Sequence, residues 1–100
     1  MYVEITGAHR ATVHELDNLR ELEVRTHGTT REDTDAALVA AGLGSVAADH
    51  AWLGVTALRE AGADRGDTWE KGFADMVEYT GSHGWLSEDG LLVRAHLNED

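Results

Sequence analysis

An α+β fold, with helices packed on one face of a small antiparallel sheet, is predicted by three patterns in the chain. Met1–Thr6 alternates apolar and polar residues, as a half-buried strand does. Trp69, Phe73, Met76, Val77 and Thr80 recur at helical spacing on one face, with Lys71, Asp75 and Glu78 on the other. Glu88-Asp89-Gly90 separates two short apolar runs, and Asp-Gly is a strong hairpin signal. The expected sheet is therefore built from N-terminal strands and a C-terminal hairpin. About three helices lie between them, and residues 1–100 form a single globular domain.

The first strand places Met1, Val3 and Ile5 on one face and Tyr2, Glu4 and Thr6 on the other, and Gly7 closes it. Residues 8–26 read in two ways. Val13, Leu16, Leu19 and Leu22 recur every third residue, which suits a short helix, while Arg20–Thr26 alternates as a strand. With Asp17-Asn18 as a turn, a three-stranded meander over residues 2–26 is preferred to helix-then-strand. Thr30, three residues before Asp33, caps a helix running to about Ala41. Gly42 with Leu43 behind it is the expected left-handed stop.

Ser45–Ala61 reads as a central helix, capped by Ser45 and stopped by Gly62. On a helical wheel Asp49, Thr56 and Glu60 make one polar strip, and the remaining arc is apolar. Such a helix belongs inside the fold, with His50 in its buried arc and Trp52 at the border. The next helix opens on Asp67-Thr68-Trp69-Glu70, a capping box in its Asp form, and ends at Gly81-Ser82-His83-Gly84. Trp85–Ser87 and Leu91–Leu97 then form the hairpin, with Leu91, Val93, Ala95 and Leu97 on one face and Leu92, Arg94 and His96 on the other. Asn98–Asp100 is expected to fray.

Nineteen acidic residues against eight basic ones give a formal charge of −11. A field of that sign repels phosphate backbones and anionic lipid, so neither nucleic acid nor a membrane surface is an expected partner. No stretch has the length of a membrane span, and no leader-like segment opens the chain, which predicts a cytoplasmic protein. With no cysteine, disulfides and thiolate chemistry are absent. Six histidines are present, but none forms an i, i+4 pair or a His-x-His, so no metal and no cofactor is expected.

Two positions are candidates for acid–base chemistry. His50 in a core helix would lose charge stabilisation and stay neutral, ready to act as a base. The plainer alternative is a core histidine donating one ring N–H to a neighbour. His83 sits between two glycines in a loop, where backbone freedom favours close ligand approach, although cap and turn chemistry also account for those glycines. Trp52, Tyr79 and Trp85 are the candidate ligand-binding residues. Gly44-Ser45 ahead of an apolar helix resembles the modified-serine segment of acyl carrier proteins. Gly44 stands where those proteins carry an aspartate, and a C-terminal hairpin is foreign to their helical fold, so no family is assigned.

Two functions are carried forward. The first is a small accessory protein acting by self-association, a homodimer above all, or by binding a protein partner. The second is a small-molecule-binding or enzymatic domain with a pocket between the central helix and the 81–85 loop. A pocket holding both His50 and His83 would favour the second, and a solvent-facing Trp52 patch the first.

Overall fold

The computed structural model describes residues 1–7 and 10–99. Ala8, His9 and Asp100, parts of the ambiguous 8–26 stretch and of the expected frayed end, lie outside the described residues. The class is α+β, with a six-stranded sheet and three helices among the described residues. The chain runs β1 (Tyr2–Ile5), β2 (Ala11–His14), β3 (Glu23–Thr26), α1 (Arg31–Ala40), β4 (Gly44–Ala47) and β5 (His50–Gly54). It continues through α2 (Val55–Ala61), a 3-10 turn at Ala63–Arg65 and α3 (Asp67–Ser82) to β6 (Leu92–Glu99).

The sheet is mixed, not antiparallel, with strand order β2-β1-β3-β6-β5-β4. β1–β2, β4–β5 and β5–β6 are antiparallel, whereas β3 runs parallel to both β1 and β6. Residues 2–26 do contain three strands, but not a meander. After the β1–β2 hairpin the chain passes the start of β1 through residues 15–22, where the Met1 ammonium donates to Asn18 O and Glu21 O, and returns on the far side of β1. Leu16, Leu19 and Leu22 are spent on that crossing: they pack on the core. Trp69 Nε1 donates to Leu16 O at 2.8 Å, tying the crossing to α3. Their spacing of three therefore reflects neither a helix nor a strand.

The central helix is the largest correction. Residues 44–54 form the β4–β5 hairpin, and only Val55–Ala61 is helical. Short apolar runs are ambiguous between strand and helix by periodicity alone. The turn here is Ala48-Asp49, with Ala48 at φ 56°, so it lacks the Asn or Gly that marks a tight hairpin in a sequence. Gly44 is required by close approach, since a Cβ there would lie 1.9 Å from the Trp52 carbonyl oxygen. Gly44-Ser45 thus begins a strand, which removes the local basis of the carrier-protein resemblance.

The C-terminal hairpin is also shorter than expected. Ser87–Gly90 makes the turn, with Gly90 N–H donating to Ser87 O at 2.9 Å, but Trp85–Ser87 contributes a single bridge, Leu86 to Val93. β6 instead pairs with β5 and β3 and remains regular through Glu99, past the expected frayed end. Leu91, expected on one face with Val93, Ala95 and Leu97, is exposed while those three are buried.

Both long helices lie where the sequence places them. Thr30 accepts from Asp33 N–H at 3.1 Å and starts α1. Gly42 at φ 70° ends it, and Leu43 N–H donates back to Leu38 O. α3 begins at Asp67 with Gly66, not Asp67, in the cap position. Ala37 and Leu38 of α1, Val55 and Leu58 of α2, and Trp69, Phe73 and Met76 of α3 share one apolar cluster with Val3, Ile5, Val24, Ala51, Leu53, Val93, Ala95 and Leu97 of the strands. The helices thus cover one face of the sheet. The alternate strand residues, among them Tyr2, Glu23, Arg94, His96, His50 and Trp52, lie on the other. No helix among the described residues is long and apolar enough to cross a membrane.

Candidate functional site

β6 is the strand around which the site forms, because its two edges are filled differently. Along β5 it pairs without interruption from Leu92 to His96. On its other edge β3 begins only at Glu23, opposite His96. Further back the edge is met by the 85–86 segment: Arg94 N–H donates to Trp85 O at 2.7 Å, and Leu86 bridges Val93. Between these partners, beside Ala95, the sheet has a gap. The crossing segment forms one wall and α3 lies behind.

A cleft of about 740 Å³ is lined by residues from both sides of this interruption. Its apolar surface comes from Leu19, Leu22, Met76 and Ala95, and Gly72 lets the crossing segment approach α3. Polar and aromatic groups border it: Arg20, Glu21, Asp49, His50, Asp75, Tyr79, Trp85, Arg94 and His96. A mainly apolar concavity of this size with a few convergent polar groups is the usual form of a small-molecule site.

Of the five residues singled out from the sequence, His50, Tyr79 and Trp85 border the cleft. His83 and Trp52 stand behind them. The His83 ring stacks on Trp85 at 4.8 Å between centroids and meets Tyr79 at 4.5 Å. Trp52 meets His50 edge-on at 5.6 Å. His50 is not in the core as expected. It is half-buried on β5, on the sheet face away from the helices, because its segment is a strand. There it is registered directly opposite His96.

His50 Nδ1 lies 3.3 Å from Asp49 Oδ1, so the ring N–H at Nδ1 donates to the carboxylate and Nε2 is left for another partner. That hydrogen bond, reinforced by backbone N–H donation and the more distant Arg94, holds Asp49 below the usual carboxylate range. The turn bearing this pair is held from outside. Arg31 Nη1 donates to Ala48 O at 2.9 Å while the same guanidinium binds Glu99. On the opposite wall, the Met1 ammonium donates to Asn18 O and to Glu21 O, fixing the crossing segment. Burial pushes its pKa down.

The sequence reading missed Leu19, Arg20, Leu22, Met76, Arg94 and His96 as site residues. The one local signal was the Arg94/His96 alternation on β6, which puts both on the sheet's solvent side. Among the described residues no group of His, Asp and Glu is disposed to hold a metal ion. Comparison of the chain with family models, curated proteins and solved structures finds no match.

Proposed function

We propose that the protein binds a small organic molecule in the cleft beside Ala95. The observation that carries this reading is the gap in pairing along one edge of β6, which opens an apolar cavity under a ring of ionisable and aromatic side chains. Nearby, the Asp49–His50 pair supplies an acid–base group with one ring nitrogen uncommitted. The reading does not require catalysis, and no reaction is assigned.

Self-association is the second reading, and its support is thinner. Val39, Tyr79, Trp85 and Leu91 are exposed large apolar residues. They come from α1, α3 and two loops, and scattered apolar residues are ordinary on a protein surface. Trp52, on which the association reading leaned, is half-buried against His50.

N-phenyl-1-naphthylamine, a neutral fluorescent aromatic, tests the cleft. Titration should be saturable and should shift the backbone amide signals of Gly72, Met76, Ala95 and His96. Gly72→Ala adds a Cβ that would lie 2.7 Å from Leu19 Cδ1, so Leu19 must move and the cleft changes shape. Affinity should fall roughly tenfold, while the helix gains up to about 1 kcal/mol of intrinsic propensity. Shifts scattered away from the cleft, or unaltered affinity in Gly72→Ala, would refute the reading.

A further inference from the structure

Charge pairing around the molecule points to what the cleft selects. Among the described residues four guanidiniums are already matched to carboxylates: Arg25 to Glu23, Arg31 to Glu99, Arg59 to Glu70 and Arg65 to Asp17. Of the basic side chains without an ion pair among the described residues, Arg20 and Arg94 border the same opening. Acidic groups outnumber basic ones by nineteen to eight, so partners for these two would be easy to supply.

One of the three carboxylates of the cleft is already answered. Asp49 accepts from His50. The Glu21 backbone carbonyl accepts from the Met1 ammonium at 3.0 Å, but its carboxylate, like that of Asp75, is in no ion pair among the described residues. Two guanidiniums against three carboxylates make a smaller acidic excess in the cleft than in the protein as a whole, and neither Arg20 nor Arg94 is in an ion pair among the described residues, although Arg94 also acts on Asp49 from a distance. A guanidinium presents a planar fork of donors that fits a carboxylate or phosphate.

Trp85 adds a shape preference. His83 stacks on its ring at an interplanar angle of 18°, so one face of the indole is covered, and Trp85 also borders the cleft. Resting on the cleft reading above, we propose that the ligand is an aromatic organic anion. Its ring body lies against Leu22, Met76 and Trp85, and its acidic group is held by Arg94 with Arg20 across the opening.

The test uses a matched pair of probes, 8-anilino-1-naphthalenesulfonate and N-phenyl-1-naphthylamine, which differ by the sulfonate. Both are titrated into the full chain, with amide shifts locating the bound probe. The anion should bind roughly tenfold or more tightly than the neutral compound, and Arg94→Gln should remove most of that difference. Arg20→Gln should act in the same direction with a smaller effect. Amide dispersion of each variant confirms that it is folded. Equal binding of the two probes in the cleft, or an anion preference that survives both substitutions, would overturn the anion proposal and leave the cleft reading standing. Absence of cleft shifts with both probes would overturn the two together.

Discussion

The two edges of β6 behave differently, although they belong to one strand. The β5 edge carries five consecutive pairs, His50–His96 through Gly54–Leu92, with Leu53 and Ala51 inserted into the core beside Val93 and Ala95. The β3 edge carries four pairs from Glu23–His96 onward and one detached bridge at Leu86. A sheet edge that is fully paired leaves no room for a ligand. Where pairing stops for the length of a residue or two, side chains from non-adjacent segments can converge. Stability and binding capacity are therefore expected to separate along the two edges.

The largest expected effect tests that separation directly. Leu53 is fully buried on the paired edge. Leu53→Ala should cost about 2–5 kcal/mol in urea unfolding, with neutral-probe affinity unchanged in the fraction that remains folded. Leu19 on the interrupted edge is only partly buried. Leu19→Ala should cost less than about 2 kcal/mol yet weaken binding, because the lost surface faces the cleft. Equal stability losses at the two positions would erase the distinction.

A smaller effect is expected at the tie between the crossing segment and α3. Trp69→Phe keeps an aromatic ring stacked on Phe73 but removes the N–H that Leu16 O accepts. The cost should be about 1–3 kcal/mol, for an unsatisfied carbonyl together with lost ring volume. Amide exchange should quicken at Leu19–Leu22 before it does on β5. Uniform quickening over both edges would show that the crossing segment is not an independent wall.

Acid should act most gently, and at the opposite end of the cleft. The Arg31 hydrogen bond holds Glu99 below the usual carboxylate range. A carboxylate with a lowered folded pKa stabilises fully above its unfolded value, about 4.3, and that contribution is lost as pH falls through the lower folded value. As pH falls through that lower folded value, Arg31 should release Glu99 and hold the Ala48 turn less firmly. Faster amide exchange at Asp49 and His50 on acidification, flattened in Glu99→Gln, is the expected result. An identical acid profile for both proteins would exclude Arg31–Glu99 as the support of that turn.

Much of the helix-bearing framework was legible locally. Thr30 and Gly42 bracket α1 by cap chemistry, and α3 shows through Trp69, Phe73 and Met76 at helical spacing. The alternation of Val3 and Ile5 with Tyr2 and Glu4 reports β1 in the same way. The 44–54 hairpin was hidden because Val46, Ala51 and Leu53 on its core side are matched by Ala47 and Trp52 on the other. Apolar residues on both faces erase a period of two. The parallel placement of β3 beside β6 had no local signature at all, since it depends on where the crossing segment carries the chain. The cleft was accordingly half visible. His50, Tyr79 and Trp85 stand out by residue type, whereas Leu19, Leu22, Met76 and Ala95 come from separate segments and resemble any other core residues.

β6 lies between β3 and β5 in the sheet, yet it is the last of the six strands in chain order. During synthesis the other five strands emerge before the one that joins them, and the β2-β1-β3 group must wait beside the β4-β5 hairpin. Throughout that interval β3 and β5 both offer an unpaired edge on which another nascent chain can add a strand. Pairing β3 with β6 also closes a loop of some seventy residues, a non-local step that slows folding. The abundance of acidic side chains has a use here. Mutual repulsion between identical, incompletely folded chains disfavours their meeting before β6 arrives.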